Sequence, residues 1–425
     1  MRLTRHLMAA ASFAGVLATA GPLHAESITL HALMEDVPET QIIEAMLPDF
    51  EKQTGIHVEF EKVGYGDMHD KLVAQLTATE SYYNVLEVDF LWAGEFPKAG
   101  WLADLKPFVD KSKYDLTPFI PSTFALLGSS ADNVQLIPMY NYSMGMIYRD
   151  DLLNDQKLKD AYKAAFNTEL GLPKTLEEYV QISKFMKANA GVAGAAMQGQ
   201  RGDPNSMEFS NYLFSAGGSY LGADGKVSLN SAEGKKALDL YVDNIKNGAQ
   251  QGALSATLDD TMRLMCSGGA FSMVTYWWML PQIDNAEKCP NVAGKAKLAS
   301  MPGGSGESGG WGWGIPKNTT PESQEAAWTF VQWVQSKDVS VKRALGGHAP
   351  VRADVYSDPS VLAKYPYYKQ AMDIVSGGKS FPIFTYSAQY EDTLGAQLSL
   401  AGGGQATSEV ALKAAADGLD ELMKK

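Results

Sequence analysis

The sequence is short of basic residues. It contains 36 Lys and Arg against 49 Asp and Glu among 425 residues, which gives a formal net charge of −13. No stretch gathers Lys and Arg into a stripe, and phosphate binding depends on such clusters. We therefore expect no binding to nucleic acid or to an anionic membrane surface. After the N-terminal segment, no apolar run has the length of a membrane span.

The first 25 residues resemble a secretory signal peptide. Two arginines open the segment, a weakly apolar run extends from Leu7 to Gly21, and Ala25 offers a cleavage point before Glu26. Cleavage after Ala20 is the alternative. Because the arginines are not adjacent and no cysteine lies nearby, we expect export through the general secretory pathway without a lipid anchor. Cleavage after Ala25 leaves a net charge of −15 and enough chain for two or three domains.

Cysteine and histidine are also scarce. The two cysteines are Cys266 and Cys289, and the histidines beyond residue 25 form no HxxxH pattern and no cluster with them. In an exported protein such a pair is more often a disulfide than a metal site, so we expect Cys266 and Cys289 to be bonded. A metal site and two free thiols remain the alternatives. We expect no metal and no cofactor.

Enzyme motifs are absent or incomplete. Gly304, Gly306 and Gly309 match GxGxxG, but the sequence that follows, WGWGIPKN, cannot begin the helix that a dinucleotide site requires. No GxSxG and no other nucleophile signature occurs. A carboxylate pair for glycoside cleavage could come from any of the 49 acids, so their presence predicts nothing. We expect no catalytic residue.

Strands and helices alternate along the first part of the chain. Segments 27–34, 55–63 and 84–92 predict strands, and the spacing of apolar residues between them predicts helices that begin near Asp36 and Asp67. This alternation predicts a largely parallel, helix-covered sheet and hence an α/β fold. Capping residues predict later helices that begin near Thr175, Asn230, Thr320 and Ser408.

Two segments predict crossings between lobes, because glycine and proline favour backbone that bends. They are 135–149, QLIPMYNYSMGMIYR, and 301–318, MPGGSGESGGWGWGIPKN. Aromatic residues lie near these crossings and near strand ends, where α/β proteins bind ligands, although any single ring could pack in a core. They are Trp92, Tyr140, Tyr142, Tyr276, Trp277, Trp278, Trp311 and Trp313. Trp328 and Trp333 lie in an amphipathic helix and are expected to pack.

Charged residues near the same segment ends would suit a polyhydroxy ligand. Glu35 and Asp36 follow the first strand, Asp89 lies in the third, and Arg201 and Asp203 lie in a loop. Each alone could be a solvated loop charge. Together with flat rings that stack on the CH faces of a sugar, they could bond to its hydroxyls.

Nearly the whole chain after residue 25 resembles the extracellular solute-binding proteins of the maltose-binding type, the sugar receptors of bacterial ABC importers. The resemblance depends on the order and spacing of LPDFEKQTGIHVEFEKV, HDKLVAQLTA, LWAGEFPKAGWLADL, LIPMYNYSMGMIYRDDLL, TLEEYVQISKFM, NYLFSAGGSYL, CSGGAFSMVTYWWML and GGWGWGIPKN. It implies a periplasmic protein with two α/β lobes, a hinge between them and a membrane permease as partner. We expect a monomer.

The resemblance assigns residues 26–137 and 313–345 to the N-terminal lobe, and 138–312 and 346–425 to the C-terminal lobe. It also implies that residues 276–278 form a ligand platform, with Trp277 or Trp278 closest to the sugar. The ligand-binding residues expected from the resemblance and from side-chain chemistry are Glu35, Asp36, Asp89, Trp92, Tyr140, Asn141, Arg201, Asp203, Tyr276, Trp277, Trp278, Gly310 and Trp311.

The expected function is capture of a mono- or disaccharide or a sugar alcohol between the lobes and its delivery to the permease. An exported glycan-active enzyme is the alternative. A peptide or metal-chelate receptor of similar architecture is disfavoured by the number of aromatic residues at the expected cleft. A peptide would also need charged anchors for both termini, for which only Arg201 and Arg352 are clear candidates.

Overall fold

The computed structural model describes residues 28–130 and 132–425. The expected signal peptide, residues 1–25, lies outside the described residues. Within the described part, the chain forms two β-sheets that are covered by helices. No helix in this part is both long enough and apolar enough to cross a membrane.

The strands form a five-stranded sheet and a four-stranded sheet. In chain order they are β1 Thr29–Glu35, β2 His57–Val63, β3 Val85–Asp89, β4 Ile137–Asn141, β5 Met144–Arg149, β6 Ala193–Ala196, β7 Ala270–Tyr276, β8 Ala296–Ala299 and β9 Gly310–Gly314. The first sheet has the order β2-β1-β3-β9-β4 and the second has the order β6-β7-β5-β8. β1 is parallel to β2 and β3, as the alternating pattern predicts, whereas β9 is antiparallel to β3 and β4.

The helices cover both sheets and fill the connections. They are α1 Pro38–Glu44, α2 Leu47–Thr54, α3 Tyr65–Leu76, α4 Lys106–Ser112, α5 Pro121–Leu126, α6 Asp150–Leu153, α7 Gln156–Phe166, α8 Leu176–Asn189, α9 Asp203–Ser215, α10 Ala232–Asn247, α11 Leu258–Cys266, α12 Leu280–Ile283, α13 Pro321–Val334, α14 Lys337–Leu345, α15 Ala353–Tyr356, α16 Pro359–Lys364, α17 Tyr368–Gly377, α18 Ser387–Gly402 and α19 Ser408–Met423.

The predicted helix starts are close to those observed. The side chains of Thr175 and Thr320 cap α8 and α13, as expected. Ser231 and Thr407 cap α10 and α19, one residue from the predicted starts. The first predicted helix is divided into α1 and α2, since Pro48 has no N–H to continue the first helix and instead lies in the first turn of the second.

The first sheet packs on α13. Trp313 of β9 meets Phe330 edge-to-face with ring centroids 5.5 Å apart, and Phe330 also contacts Phe50 of α2. Trp328 is 2% exposed, and Trp333 packs against the same core. Both tryptophans of α13 therefore have the packing role that helical spacing predicts.

The chain crosses between the sheets within the two segments that glycine and proline indicate. β4 ends at Asn141 and β5 begins three residues later at Met144, while the return lies between β8 and β9. The sheet pairings place β4 and β9 wholly in the first sheet, so we propose crossings at 142–143 and 300–309 instead of at 137/138 and 312/313. Pro138 does not end β4, because the strand absorbs it as an irregularity of register between Pro138 and Tyr140.

The two lobes also meet away from the crossings in the sequence. The segment before α18 lies against the turn that follows β3: a Cβ on Gly94 would overlap the backbone of Phe384. Nearby, Lys98 Nζ donates a 3.1 Å hydrogen bond to Thr385 Oγ1. These contacts join the two lobes directly, in addition to the chain crossings.

Cys266 and Cys289 form the expected disulfide, with their Cα atoms 4.4 Å apart. The bond joins the end of α11 to the segment after α12. The chain between the two cysteines contains β7 and the aromatic residues 276–278, so the disulfide closes a loop around them.

Candidate functional site

A cavity of about 300 Å³ lies between the two lobes, where strands of both sheets end. Its wall contains six carboxylic acids, six aromatic residues of the Tyr and Trp type and six other residues. They are Glu35, Val37, Pro38, Glu39, Tyr65, Asp89, Phe90, Leu91, Tyr140, Tyr142, Asp203, Met207, Leu258, Tyr276, Trp278, Glu307, Trp311 and Glu391.

The second lobe contributes a pair of parallel rings. Tyr276 ends β7 and Trp278 follows two residues later, with ring centroids 5.6 Å apart and planes 6° from parallel. Tyr142 meets Tyr276 edge-on at 5.4 Å, and the Tyr276 hydroxyl donates to Met207 Sδ at 3.1 Å. The rings are thus fixed on both sides, and this part of the wall is a rigid, flat platform.

The first lobe contributes a row of side chains from three neighbouring strands. The register opposes Asp89 of β3 to Trp311 of β9, and Trp311 to Tyr140 of β4. Trp311 and Tyr140 are roughly parallel, with ring centroids 6.3 Å apart. Tyr65, at the start of α3, meets Trp311 edge-on at 5.8 Å. The antiparallel position of β9 therefore brings residue 311 next to residues from the first third of the chain.

Asp89 is held by two hydrogen bonds. Its Oδ1 accepts from the backbone N–H of Leu91 at 2.8 Å, and its Oδ2 accepts from the Tyr142 hydroxyl at 3.1 Å. Burial raises the pKa of Asp89 well above its ordinary value, although these hydrogen bonds act in the opposite direction. The carboxyl group is fixed at the cavity wall in an environment that penalises its negative charge.

The other five carboxyl groups of the wall have raised pKa values for the same main reason. Burial raises the pKa of Glu35 to about 7, with smaller effects of Glu39 and Asp203, and it raises that of Glu39 to about 7. Burial also raises the pKa of Asp203 to about 6, and those of Glu307 and Glu391 well above their ordinary value. Mutual repulsion adds to the effect of burial on Glu307 and Glu391.

Asp203 and Glu391 both line the cavity, and the charge of Asp203 adds to burial in raising the pKa of Glu391. Asp203 begins α9 and Glu391 lies on α18, so the two carboxyl groups come from two helices of the second lobe.

Seven of the thirteen expected ligand-binding residues line the cavity. They are Glu35, Asp89, Tyr140, Asp203, Tyr276, Trp278 and Trp311. Asp36 and Arg201 are exposed and do not line it. Trp92 lies behind the wall, where it stacks on Tyr65 at 5.7 Å and meets Trp311 edge-on at 5.6 Å.

Trp277, Asn141 and Gly310 also lie outside the cavity wall. Trp277 is fully buried, and it begins a 3-10 turn, Trp277–Met279, in which it faces away from the cavity that its two neighbours line. There it packs edge-on against Tyr368 at 5.0 Å. Gly310 pairs with Asn141 in the sheet, and a Cβ on Gly310 would lie 2.7 Å from the carbonyl oxygen of Tyr140.

Several residues of the wall are not predicted as ligand-binding residues from the sequence. Tyr142 belongs to the predicted aromatic set. Glu307 is the only acid in the glycine-rich segment 301–318, and this position could have identified it as a candidate ligand-binding residue. Glu39 and Tyr65 lie at helix starts. Glu391 lies in the second turn of α18 and has no local signal, because only the packing of α18 against the turn after β3 brings it to the cavity.

The chemistry available at this wall is stacking and hydrogen bonding. Flat rings offer contact to CH groups, and carboxyl oxygens accept hydrogen bonds from O–H or N–H donors. Within residues 28–130 and 132–425, no three His, Cys, Asp or Glu side chains are arranged to hold a metal ion.

Comparison with known proteins places this fold and cavity among bacterial binding proteins. Residues 36–340 match the family described as bacterial extracellular solute-binding protein. A probable amino-acid ABC transporter periplasmic-binding protein of Sinorhizobium fredii is 24% identical over 320 residues, which are 75% of this chain and 71% of that protein. This family includes the maltose-binding type that the sequence resembles, and the relatives are binding proteins.

Two solved structures have the same fold over almost the whole chain. The maltose-bound MalE3 of T. maritima has a TM-score of 0.80 at 27% identity, and the alignment covers 93% of this chain and 100% of that one. An ABC transporter solute-binding protein of Agrobacterium radiobacter in complex with ribitol has a TM-score of 0.79 at 26% identity, with 93% and 98% covered. The predicted two-lobed α/β fold is confirmed, and the chain belongs to the family of bacterial extracellular solute-binding proteins.

Proposed function

We propose that this protein is the periplasmic substrate-binding component of an ABC importer, and that it captures a small carbohydrate or sugar alcohol between its lobes. The observation that carries the proposal is the cavity between the two sheets, in which the parallel rings of Tyr276 and Trp278 share a wall with buried carboxyl groups. Similarity to a maltose-bound and a ribitol-bound protein supports this class of ligand.

The platform suits a ligand that has both CH faces and hydroxyl groups. Tyr276 and Trp278 would stack on the CH faces, while Asp89, Glu35 and Glu307 would accept hydrogen bonds from hydroxyls. A cavity of about 300 Å³ is at the small end of ligand sites. This size favours a monosaccharide, a disaccharide or a linear alditol over a longer chain.

Ligand capture would use rotation of the lobes about the crossings at 142–143 and 300–309. Glu35, Asp89 and Trp311 belong to the first sheet or its edge, whereas Asp203, Tyr276 and Trp278 belong to the second lobe. A ligand can contact both groups at once only when the lobes are closed. The closed form would then dock on the membrane permease.

The amino-acid description of the Sinorhizobium relative is a less suitable model for this cavity. The carboxylate of a free amino acid needs a cation or an N–H cluster as partner. Among the described residues that line the cavity, none is Lys, Arg or His, and the expected Arg201 is exposed outside it. We further propose that the protein acts by binding without catalysis, as a monomer exported through the general secretory pathway without a lipid anchor.

Binding to a panel of sugars and alditols tests the proposal. The protein would be unfolded and refolded to remove any co-purified ligand, then melted with mono- and disaccharides, alditols and amino acids at millimolar concentration. A ligand at about 100 times its Kd adds roughly 2.7 kcal/mol and raises the Tm by several degrees. We expect a shift with a sugar or alditol, no released product, and a shift about half as large in Trp278→Ala, because the same ligand concentration is then only about 10 times the Kd. A shift with amino acids alone, or turnover of a glycan, would contradict the proposal.

A further inference from the structure

We propose that the ligand carries a positive charge, and that the cavity selects a small polyhydroxylated amine, of the amino sugar or amino alditol class, over its neutral counterpart. The inference rests on the proposed function, since it concerns the same cavity and narrows the class of its ligand. It depends on the charges of the wall, on an unpaired carboxyl oxygen within it and on the arrangement of the rings.

The charges of the wall are all of one sign. Six carboxyl groups line a cavity of about 300 Å³, and none of the described lining residues is a Lys, Arg or His. Burial of several acids without a counter-charge is costly, and a cation among them removes much of that cost. An ammonium group supplies both the charge and the N–H donors.

Glu307 has an oxygen that no protein group satisfies. The residue is 3% exposed, its backbone N–H is fixed by a 2.8 Å hydrogen bond to Asn211 Oδ1, and its side chain lines the cavity. Its Oε2 has no hydrogen-bond partner among the described residues. The atom itself is almost completely covered, so the unpaired oxygen adds to the cost of a negative charge on Glu307, which a cation in the cavity would lower.

Asp203 and Glu391 mark where an ammonium group would bind. Both side chains line the cavity, and the proximity of Asp203 and Glu307 adds to burial in raising the pKa of Glu391. An ammonium group near both would be paired with them as carboxylates. A proton that Glu391 holds without ligand would then leave to solvent.

The rings complete a site that suits a cation. The faces of Tyr and Trp rings carry negative electrostatic potential and attract ammonium groups. Tyr142 meets Tyr276 edge-on, and Tyr276 and Trp278 are parallel, so faces of different orientation surround the carboxyl groups. The same rings would contact the CH groups of a polyol chain. A small molecule that carries an amine on such a chain therefore matches both the rings and the carboxyl groups of this wall.

Matched pairs of ligands test the inference. The affinities of 1-amino-1-deoxyglucitol and glucitol, and of 2-amino-2-deoxyglucose and glucose, would be measured by titration calorimetry at about pH 7. We expect the amine of at least one pair to bind about ten-fold or more tightly than its neutral partner, as a charge-assisted hydrogen bond predicts. Equal or tighter binding of the neutral partner overturns the inference but leaves the proposed function intact. Binding of neither member of any pair, nor of any other sugar or alditol, overturns both.

A charge-removing variant separates the charge from the shape of the site. Glu391→Gln keeps the size of the side chain and its hydrogen-bonding capacity, so we expect about a ten-fold loss of amine affinity with a smaller change for the neutral alditol. Glu80→Gln, at an exposed acid outside the cavity, is the matched control and should change neither. Titration in two buffers of different ionisation enthalpy should show proton release only with the amine. Equal losses for both ligands in Glu391→Gln, without proton release, contradict the inference.

Discussion

The indole Nε1 of Trp277 donates a 3.1 Å hydrogen bond to Oδ1 of Asn141. Both residues are fully buried. The Asn141 amide also donates to the carbonyl of Pro350 at 2.6 Å and to the hydroxyl of Tyr356 at 3.0 Å. Asn141 ends β4 at the first crossing, so one side chain joins three parts of the chain where the lobes meet. Trp277 thus contributes to the region between the lobes, whereas its neighbours line the cavity.

The first prediction concerns the stability that this hydrogen bond provides. Trp277→Phe leaves Oδ1 of Asn141 with only the distant N–H of Ser143, at 3.5 Å. We expect a loss of about 1–3 kcal/mol in the free energy of unfolding, because a buried acceptor becomes poorly satisfied. Urea unfolding measures it. Trp278→Phe is the matched control, since the Trp278 Nε1 has no partner among the described residues. Equal losses in the two variants would show that the Asn141 contact is not the cause.

The second prediction concerns ligand affinity at the platform. Trp278→Ala removes one of two parallel rings at the cavity wall, and we expect the Kd for the identified ligand to rise about ten-fold or more, from a lost stacking term of about 1.5 kcal/mol. Trp328→Phe, in the core of the first lobe, should leave the Kd unchanged even if it lowers stability. Titration calorimetry well below the Tm of each variant gives the comparison. An unchanged Kd in Trp278→Ala would remove Trp278 from the binding site.

The sequence predicts the parts of the site that follow strands and leaves out those that depend on packing. Tyr276 and Trp278 are identified because a run with strand character ends at them. The sequence does not show that Trp277 lies outside the cavity, because that requires knowing which side of the backbone faces the cleft. Glu391 lies 302 residues after Asp89 in the chain, and α18 gives no local sign that its second turn faces the first lobe.

The lobe boundaries illustrate the same limit. Pro138 suggests a break at the start of the first crossing, yet β4 continues through it to Asn141. Hydrogen bonds from the Gln335 amide to the carbonyls of Pro138 and Met139 support the strand there, and they come from the end of α13. Local sequence contains no sign of that partner, so the strand end could be found only from the tertiary structure.

The third prediction concerns the glycine behind Tyr142. A Cβ on Gly309 would overlap the Tyr142 ring, so Gly309→Ala must displace the tyrosine that donates to Asp89 and meets Tyr276. We expect about a ten-fold loss of affinity and a loss of stability of about 1–3 kcal/mol from overpacking. Gly171→Ala is the control, since an added Cβ there meets no atom within 4 Å. If Gly309→Ala bound as tightly as the unmodified protein, Tyr142 would have no positioning role.

The fourth prediction concerns the disulfide. Cys266 and Cys289 are separated by 23 residues, and a loop of about this length is stabilised by about 3 kcal/mol. The double variant Cys266→Ser/Cys289→Ser should therefore unfold at a lower urea concentration. Reductant should lower the stability of the unmodified protein to a similar extent and have no effect on the variant. Reductant sensitivity that persists in the double variant would point to another cause.

The fifth prediction concerns the pH dependence of stability at Glu208 of α9, which is outside the cavity wall. It is 1% exposed, and neither carboxyl oxygen has a hydrogen-bond partner among the described residues. Burial raises its pKa from an ordinary value of 4.5 to about 8. Between these two values the folded protein holds a proton that the unfolded chain has lost. The contribution of Glu208 to the free energy of unfolding is therefore highest below about pH 4.5. It falls as the pH rises to about 8.

Glu208→Gln removes that proton while preserving the shape of the side chain. Each pH unit between the two pKa values costs the unmodified protein about 1.4 kcal/mol at most through this group, so the variant should lose less stability between pH 5 and 8. Urea unfolding at intervals across this range measures the two slopes, and Glu80→Gln, an exposed acid, should follow the unmodified protein. Parallel curves for Glu208→Gln and the unmodified protein would mean that Glu208 is ionised in the folded state. The difference between the two slopes thus reports the charge of Glu208 alone. The six acids of the ligand cavity are present in both proteins and contribute equally to both slopes.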